Sequence, residues 1–202
     1  MGIVVPQGPK HVATLVGLVM EEEKSTLPAL MRIAMQRLVC LLNLLNEEIA
    51  VLDVAIHDAY RKDELAKRLA SIPGIGPLTA SLISATIVAP ESFAGGREFA
   101  ASLGLVPRQH STGGKARLGH ISKMGNRDLR KFLVVGAHAA LSWMRRGKLK
   151  SPLAGWALKL LETKRFKVVA VALANKMARI AWVIMVKGGC YEPNHRPVQT
   201  AA

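Results

Sequence analysis

The sequence predicts an all-α protein: a long, coiled-coil-like helical arm followed by a compact helical domain. Three observations carry that reading. Apolar residues recur at spacings of three and four through most of the 202 positions. Half of the residues are apolar but only 4% are aromatic, an aliphatic, Ala-rich balance that favours helix packing over a β-sandwich. Pro and Gly then cut the apolar pattern into segments of helical length.

Residues 1–26 form a short lead-in with Pro6, Pro9, a helix starting near His11 and the acidic run Glu21, Glu22, Glu23. A strong helix follows over 27–61. Its residues Met31, Met35, Leu38, Leu42, Leu45, Ile49, Leu52 and Ile56 succeed one another at alternating spacings of four and three. That is a heptad seam, which suits a coiled coil or an antiparallel helix pair. Leu30, Ile33, Val39, Leu41 and Leu44 lie off the seam, so the first half is apolar nearly all round. A core helix within the monomer and a dimer arm both fit.

A second helix is expected over 63–71, stopping at Pro73 and Gly74, and a third over 77–88, with Pro77 in its first turn and Pro90 closing it. Residues 91–126 read as loop-rich and glycine-rich, with one short helix over 95–103. Asn126 is placed to cap a long helix over 127–146. Helices over 152–163 and 167–187 complete the pattern, and the tail from Gly188 reads as irregular. The expected organisation is therefore 1–61 for the lead-in and arm, 62–190 for the compact domain, and 191–202 for the tail. Within the domain, 63–88 holds a helical hairpin and 104–126 a serine-glycine loop.

The net charge of +14 is placed unevenly. Residues 1–100 hold 9 Lys/Arg against 11 Asp/Glu, whereas residues 101–202 hold 19 against 3. One-sided positive charge disfavours a compact fold unless a polyanion neutralises it, which points to nucleic acid at the second half. Cys40 and Cys190 stand far apart without a CxxC pair, so neither a disulfide framework nor a zinc site is expected, and a reducing cytoplasm fits. The N-terminus lacks the plan of a signal peptide. Asn175, Lys176 and Arg179 interrupt the apolar stretch 168–186, which makes it a poor membrane span. A soluble protein of the cytoplasm and nucleoid, without a membrane partner, is expected.

Residues 69–83, LASIPGIGPLTASLI, read as helix, tight turn with glycines two apart, then helix. This resembles the helix-hairpin-helix of sequence-independent DNA-binding proteins. Gly74 and Gly76 let a backbone phosphate approach closely and leave amides pointing outward at a helix start. An ordinary glycine turn between antiparallel helices is the alternative. The start of the long helix is basic where acids are normally preferred, so Asn126, Arg127, Arg130 and Lys131 are candidates for contact with a backbone phosphate. Arg145, Arg146, Lys148, Lys150, Lys164, Arg165 and Lys167 add non-specific attraction. Trp143, Trp156 and Trp182 read as core anchors.

Residues 104–133, GLVPRQHSTGGKARLGHISKMGNRDLRKFL, following that hairpin, resemble the C-terminal domain of insertion-sequence transposases of the one-ten / eleven-eleven group. The resemblance extends from about Val4 to the helix containing Ala172 to Lys176. It implies a DNA transposase or recombinase whose C-terminal module offers a serine nucleophile that bonds to DNA, matched here by Ser111. It also implies DNA as partner, a structured guide RNA for some members, and a homo-oligomer handling two DNA ends. A divalent metal is expected in the family's RuvC-like nuclease domain, upstream of a chain read as starting mid-protein near its segment 3–8. No metal or cofactor is expected here, because Glu47, Glu48, Asp53, Asp58, Asp63 and Glu64 have helix-surface spacing.

From the residues alone, Ser111 needs activation, since a hydroxyl is a weak nucleophile. Arg108, Lys115, Arg117 and Lys123 could stabilise developing phosphate charge, and His110 and His120 could handle the proton. A plain Ser-Thr-Gly-Gly turn is the other reading, and Ser122 is the nearest rival serine. The alternative function is a non-catalytic DNA- or RNA-binding fragment.

Overall fold

The computed structural model describes residues 4–20, 28–109 and 118–193, with Leu118 as backbone only. Among these residues the chain is all-α, with eight α-helices and one small pair of strands. It divides into two compact units, residues 1–55 and 56–202.

In the first unit a 3-10 turn, Pro9–His11, leads into α1 (Val12–Met20). Helix α2 (Ala29–Lys62) begins in this unit and ends in the second. The heptad seam falls on it as the spacing requires. Met31, Leu38, Leu45, Ile49 and Leu52 are each more than half exposed, and Val39 is the one fully buried residue described on the helix.

The second unit holds the core. Helices α3 (Glu64–Ala70) and α4 (Pro77–Thr86) form the hairpin, and a 3-10 turn (Pro90–Ser92) leads to α5 (Gly96–Ser102). Strands β1 (Pro107–Gln109) and β2 (Leu118–Ile121) follow, then α6 (Arg127–Arg145), α7 (Pro152–Leu161) and α8 (Phe166–Lys187). Capping explains where several of these begin. The Asp63 carboxylate accepts from the Ala66 amide at 3.0 Å, Asn126 Oδ1 accepts from the Asp128 and Leu129 amides, and Ser151 Oγ accepts from the Ala154 amide. Burial alone would raise the Asp63 pKa, but hydrogen bonds from the Ser84 hydroxyl and the Ala66 and Leu65 amides, with the charge of Arg68, outweigh it and hold the carboxyl below its ordinary value.

The centre of the core is α8, packed along α6. Ala170, Ala174, Ala178 and Ala181 on α8 and Ala137 and Ala140 on α6 are buried, so small side chains let these helices approach closely. Length and composition alone would let α8 cross a membrane, but eight of its residues are buried in this core. Trp182 Nε1 donates to the Pro90 carbonyl at 2.8 Å and ties α8 to the turn before α5.

Two expectations are corrected by the structure. The stretch 104–126 contains the antiparallel pair β1·β2, with Pro107 opposite Ile121 and Gln109 opposite Leu118. Strands of three and four residues are too short to show an alternating pattern. Trp143 is no core anchor: it is 53% exposed, whereas Trp156 and Trp182 are half-buried against the core.

The hairpin meets α6 without intervening side chains. A Cβ on Gly136 would overlap the Gly74 carbonyl oxygen, and one on Gly74, where φ is +96°, would lie 2.8 Å from the Gly136 carbonyl and 2.9 Å from Met177 Cε. Gly155 of α7 faces open space. Gly136→Ala should therefore destabilise the protein by about 1–3 kcal/mol, the usual range for overpacking, which lowers Tm by several degrees. Gly155→Ala should leave Tm unchanged or raise it slightly. Thermal unfolding of both variants checks this, and equal Tm values would contradict the close contact.

Candidate functional site

The two hairpin glycines have separate jobs. Gly74 turns inward onto α6, as described above. Gly76 is exposed, with nothing within 4 Å of where its Cβ would lie, and it precedes Pro77 as the N-cap of α4. It has no side chain to cap with, and Pro77 has no N–H. The amides of Gly76, Leu78 and Thr79 therefore donate to no backbone acceptor among the described residues. A helix start with free amides and a glycine's clearance is suited to an anionic oxygen. Gly74 fixes the turn, and Gly76 leaves room for a ligand.

Residues 110–117, which include His110, Ser111, Lys115 and Arg117, lie outside the described residues. The residues flanking them are described: Gln109 and Leu118 are partners in the strand pair. The base of that pair is fastened at several points. Asn175 Nδ2 of α8 donates to the Leu105 carbonyl at 3.2 Å. Arg130 Nη1 donates to the carbonyls of Leu103 at 2.9 Å and Met124 at 3.2 Å, with a longer bond to Asn126. The Ser122 amide donates to the Val106 carbonyl, and the Lys123 amide to that of Gly104. Gly104 and Gly125 both have positive φ, and a Cβ on either would overlap a backbone carbonyl of the opposite segment, Met124 or Ser102. The backbone of 102–106 and 122–126 is thus sealed together beneath the strand pair.

The predicted phosphate contacts divide accordingly. The guanidinium of Arg130 is half-buried and bonded to carbonyls, which explains a cation at a helix start without any ligand. Asn126 Oδ1 is taken up by capping α6. Arg127, Lys131 and Lys123 are exposed, and no described carboxylate lies within ion-pair distance of them. Arg108 is exposed and reaches the Ser122 carbonyl at 3.4 Å. Ser122 has a local structural role, its Oγ accepting from the Met124 amide at 3.4 Å. His120 is exposed on β2. Among the described residues no three His, Cys, Asp or Glu side chains gather as a metal site.

Sequence reasoning missed Gly136, Asn175 and the structural role of Arg130, because each is defined by a partner distant in sequence. It also missed a groove of about 1150 Å³ between the start of α5, α8 and residues 188–193, into which Arg97, Lys176, Arg179 and Lys187 face. There Lys176 Nζ lies 4.2 Å over the Trp156 ring, and burial, with the charge of Arg179, lowers its pKa.

Gly74 contacts α6 at Gly136, nine residues from Arg127, which places the hairpin about 14 Å along the helix from its basic start. Hairpin and strand pair are therefore mounted on one rigid element.

Known proteins resemble this chain in sequence. Residues 66–152, from α3 to the start of α7, match the family described as Transposase IS116/IS110/IS902. The chain is 40% identical over 188 residues to the transposase for insertion sequence element IS1328 of Yersinia enterocolitica, covering 93% of this chain and 54% of that protein. It is 38% identical over 157 residues to the transposase for insertion sequence element IS1111A of Coxiella burnetii, covering 74% of this chain and 43% of that protein. The chain spans about half the length of the curated relatives it matches.

Proposed function

Through residues 66–152 the chain belongs to the IS116/IS110/IS902 transposase family, and on that premise we propose that it is the DNA-gripping, serine-bearing module of an insertion-element transposase. In this reading the free amides after Gly76 hold one backbone phosphate. Lys123, Arg127 and Lys131, with Arg108, attract the strand beside the β-pair. The single observation that supports it most is the fastened base of β1·β2, which borders exposed cations that lack carboxylate partners among the described residues.

Ser111 Oγ would attack a backbone phosphorus. A P–Oγ bond forms as the bond to one deoxyribose oxygen breaks; the serine proton passes to a base, for which His110 and His120 are candidates, and the departing oxygen is protonated. Lys115 and Arg117 flank this step in sequence and are assigned to the phosphate with it. The chain alone binds DNA without completing transposition. It acts in the cytoplasm at the nucleoid, and a structured guide RNA is a further partner in the family-based reading.

A homo-oligomer is part of the proposal. The exposed seam of α2 has the pattern of a coiled-coil face, and a second copy would bury it. Sedimentation of the full chain should show a dimer or larger species that shifts to monomer in a Leu45→Asp/Leu52→Asp variant; a monomeric wild-type chain would contradict it.

DNA binding is checked by fluorescence anisotropy on a branched junction and a plain duplex across a salt series. Wild-type affinity should fall steeply with salt. Replacing Lys123, Arg127 and Lys131 with Gln should flatten the log–log slope by about 0.9 for each phosphate that is no longer neutralised. A denaturation-resistant protein–DNA adduct should form with wild type and vanish in Ser111→Ala. An adduct that survives this substitution assigns the chemistry elsewhere, and salt-sensitive binding without any adduct reduces the chain to a binding module.

A further inference from the structure

One exposed group beside the hairpin has no part in gripping a backbone. Trp143 lies seven residues beyond Gly136 on α6, two turns further along the same face. It lines a groove of about 430 Å³ whose other residues include Pro73, Gly74, Ile75 and Lys148. Leu141 and Met144 beside it on the helix are buried, whereas the indole is 53% exposed. Its backbone is held in place: the Trp143 carbonyl accepts from the Lys148 amide at 3.0 Å in the turn that ends the helix.

The surroundings of this ring are cationic. Lys148 Nζ lies 5.1 Å from the ring centroid, and Arg145, Arg146 and Lys150 are its near neighbours in sequence. The ion pairs Arg61–Asp58 and Lys67–Glu64 lie elsewhere. An apolar partner would cover the ring but leave the Lys148 ammonium desolvated and unpaired, at a cost. A nucleotide meets both demands, because its base has a π-face for the indole and its phosphate an anionic oxygen for the ammonium. A base within an intact duplex is stacked on both faces and is closed to the ring. A base without a pairing partner is open to it.

We propose that Trp143 is a stacking platform for an unpaired DNA base next to a backbone held at the hairpin, so that this face selects gapped, nicked or branched DNA over intact duplex. The inference rests on the DNA-binding reading above and adds a substrate class to it.

The test compares the full-length wild-type chain with Trp143→Ala and Trp143→Phe on a duplex and on the same duplex carrying a three-nucleotide gap. Trp143→Ala should weaken binding to the gapped DNA about tenfold, within the range for loss of one base–aromatic stack, and change duplex binding less than about twofold. Trp143→Phe should retain most of the preference for the gap. Gapped DNA should also quench tryptophan emission in wild type but not in Trp143→Phe, a readout independent of how well the Ala variant folds. Equal losses on both DNAs, or no loss on either, overturn the stacking role while leaving DNA binding intact. A wild-type chain that binds neither DNA overturns the DNA-binding reading and this inference together.

Discussion

At Gly136 the long helix α6 has no room for a methyl group, because the carbonyl of Gly74 occupies the space a Cβ would need. That backbone-on-backbone contact fixes the hairpin, and the buried alanines of α6 and α8 fix the helix beneath it. A second contact of the same kind, between Gly104 and Met124 and between Ser102 and Gly125, fixes the base of the strand pair close to the start of α6. Protein interiors are packed densely enough that such contacts behave as hard stops. The distance between the free amides of α4 and the strands bordering 110–117 is therefore set by the pitch of one helix. A module that holds a DNA backbone at one point and offers a hydroxyl at another needs such a fixed separation, since misplacement by about 1 Å can cost a reaction a hundredfold.

Charge acts on top of this frame. The cations of α6 fall into two groups with different fates. Arg130 is turned inward and bonded to three carbonyls, where it closes the junction of α5, the strand pair and α6. Arg127 and Lys131 remain exposed, as do Lys123 before the helix and Arg145 and Arg146 at its end. The first kind would persist without nucleic acid. The second kind repels itself in the free protein and is relieved when phosphates approach.

The helices were legible because their punctuation is local. Asp63, Pro77, Asn126 and Pro152 mark starts by chemistry acting within a few residues, and the structure begins α3, α4, α6 and α7 at those marks. The heptad seam of α2 was equally plain, and it falls on one continuous helix, Ala29–Lys62. The site was legible only in outline. Both hairpin glycines were visible, but that Gly74 packs inward and Gly76 faces out depends on Gly136, far along the chain in another helix. Arg130 reads as a phosphate ligand until Leu103 and Met124 are brought to it. Asn175 gives no local sign that it holds Leu105. The strand pair was missed because two such short strands cannot establish a period, and Trp143 because an indole on an apolar helix face ordinarily points to the core.

All of this turns on whether the amides opened by Gly76 grip a DNA backbone. Hydrogen exchange of the full chain at low salt, with and without duplex DNA, reads the segment that holds those amides. DNA should slow exchange in the peptides holding Gly76, Leu78 and Thr79 and in those spanning the start of α6, while α7 is unchanged. Slowed exchange elsewhere that spares the hairpin, although DNA is bound, would show that the backbone is held at another place.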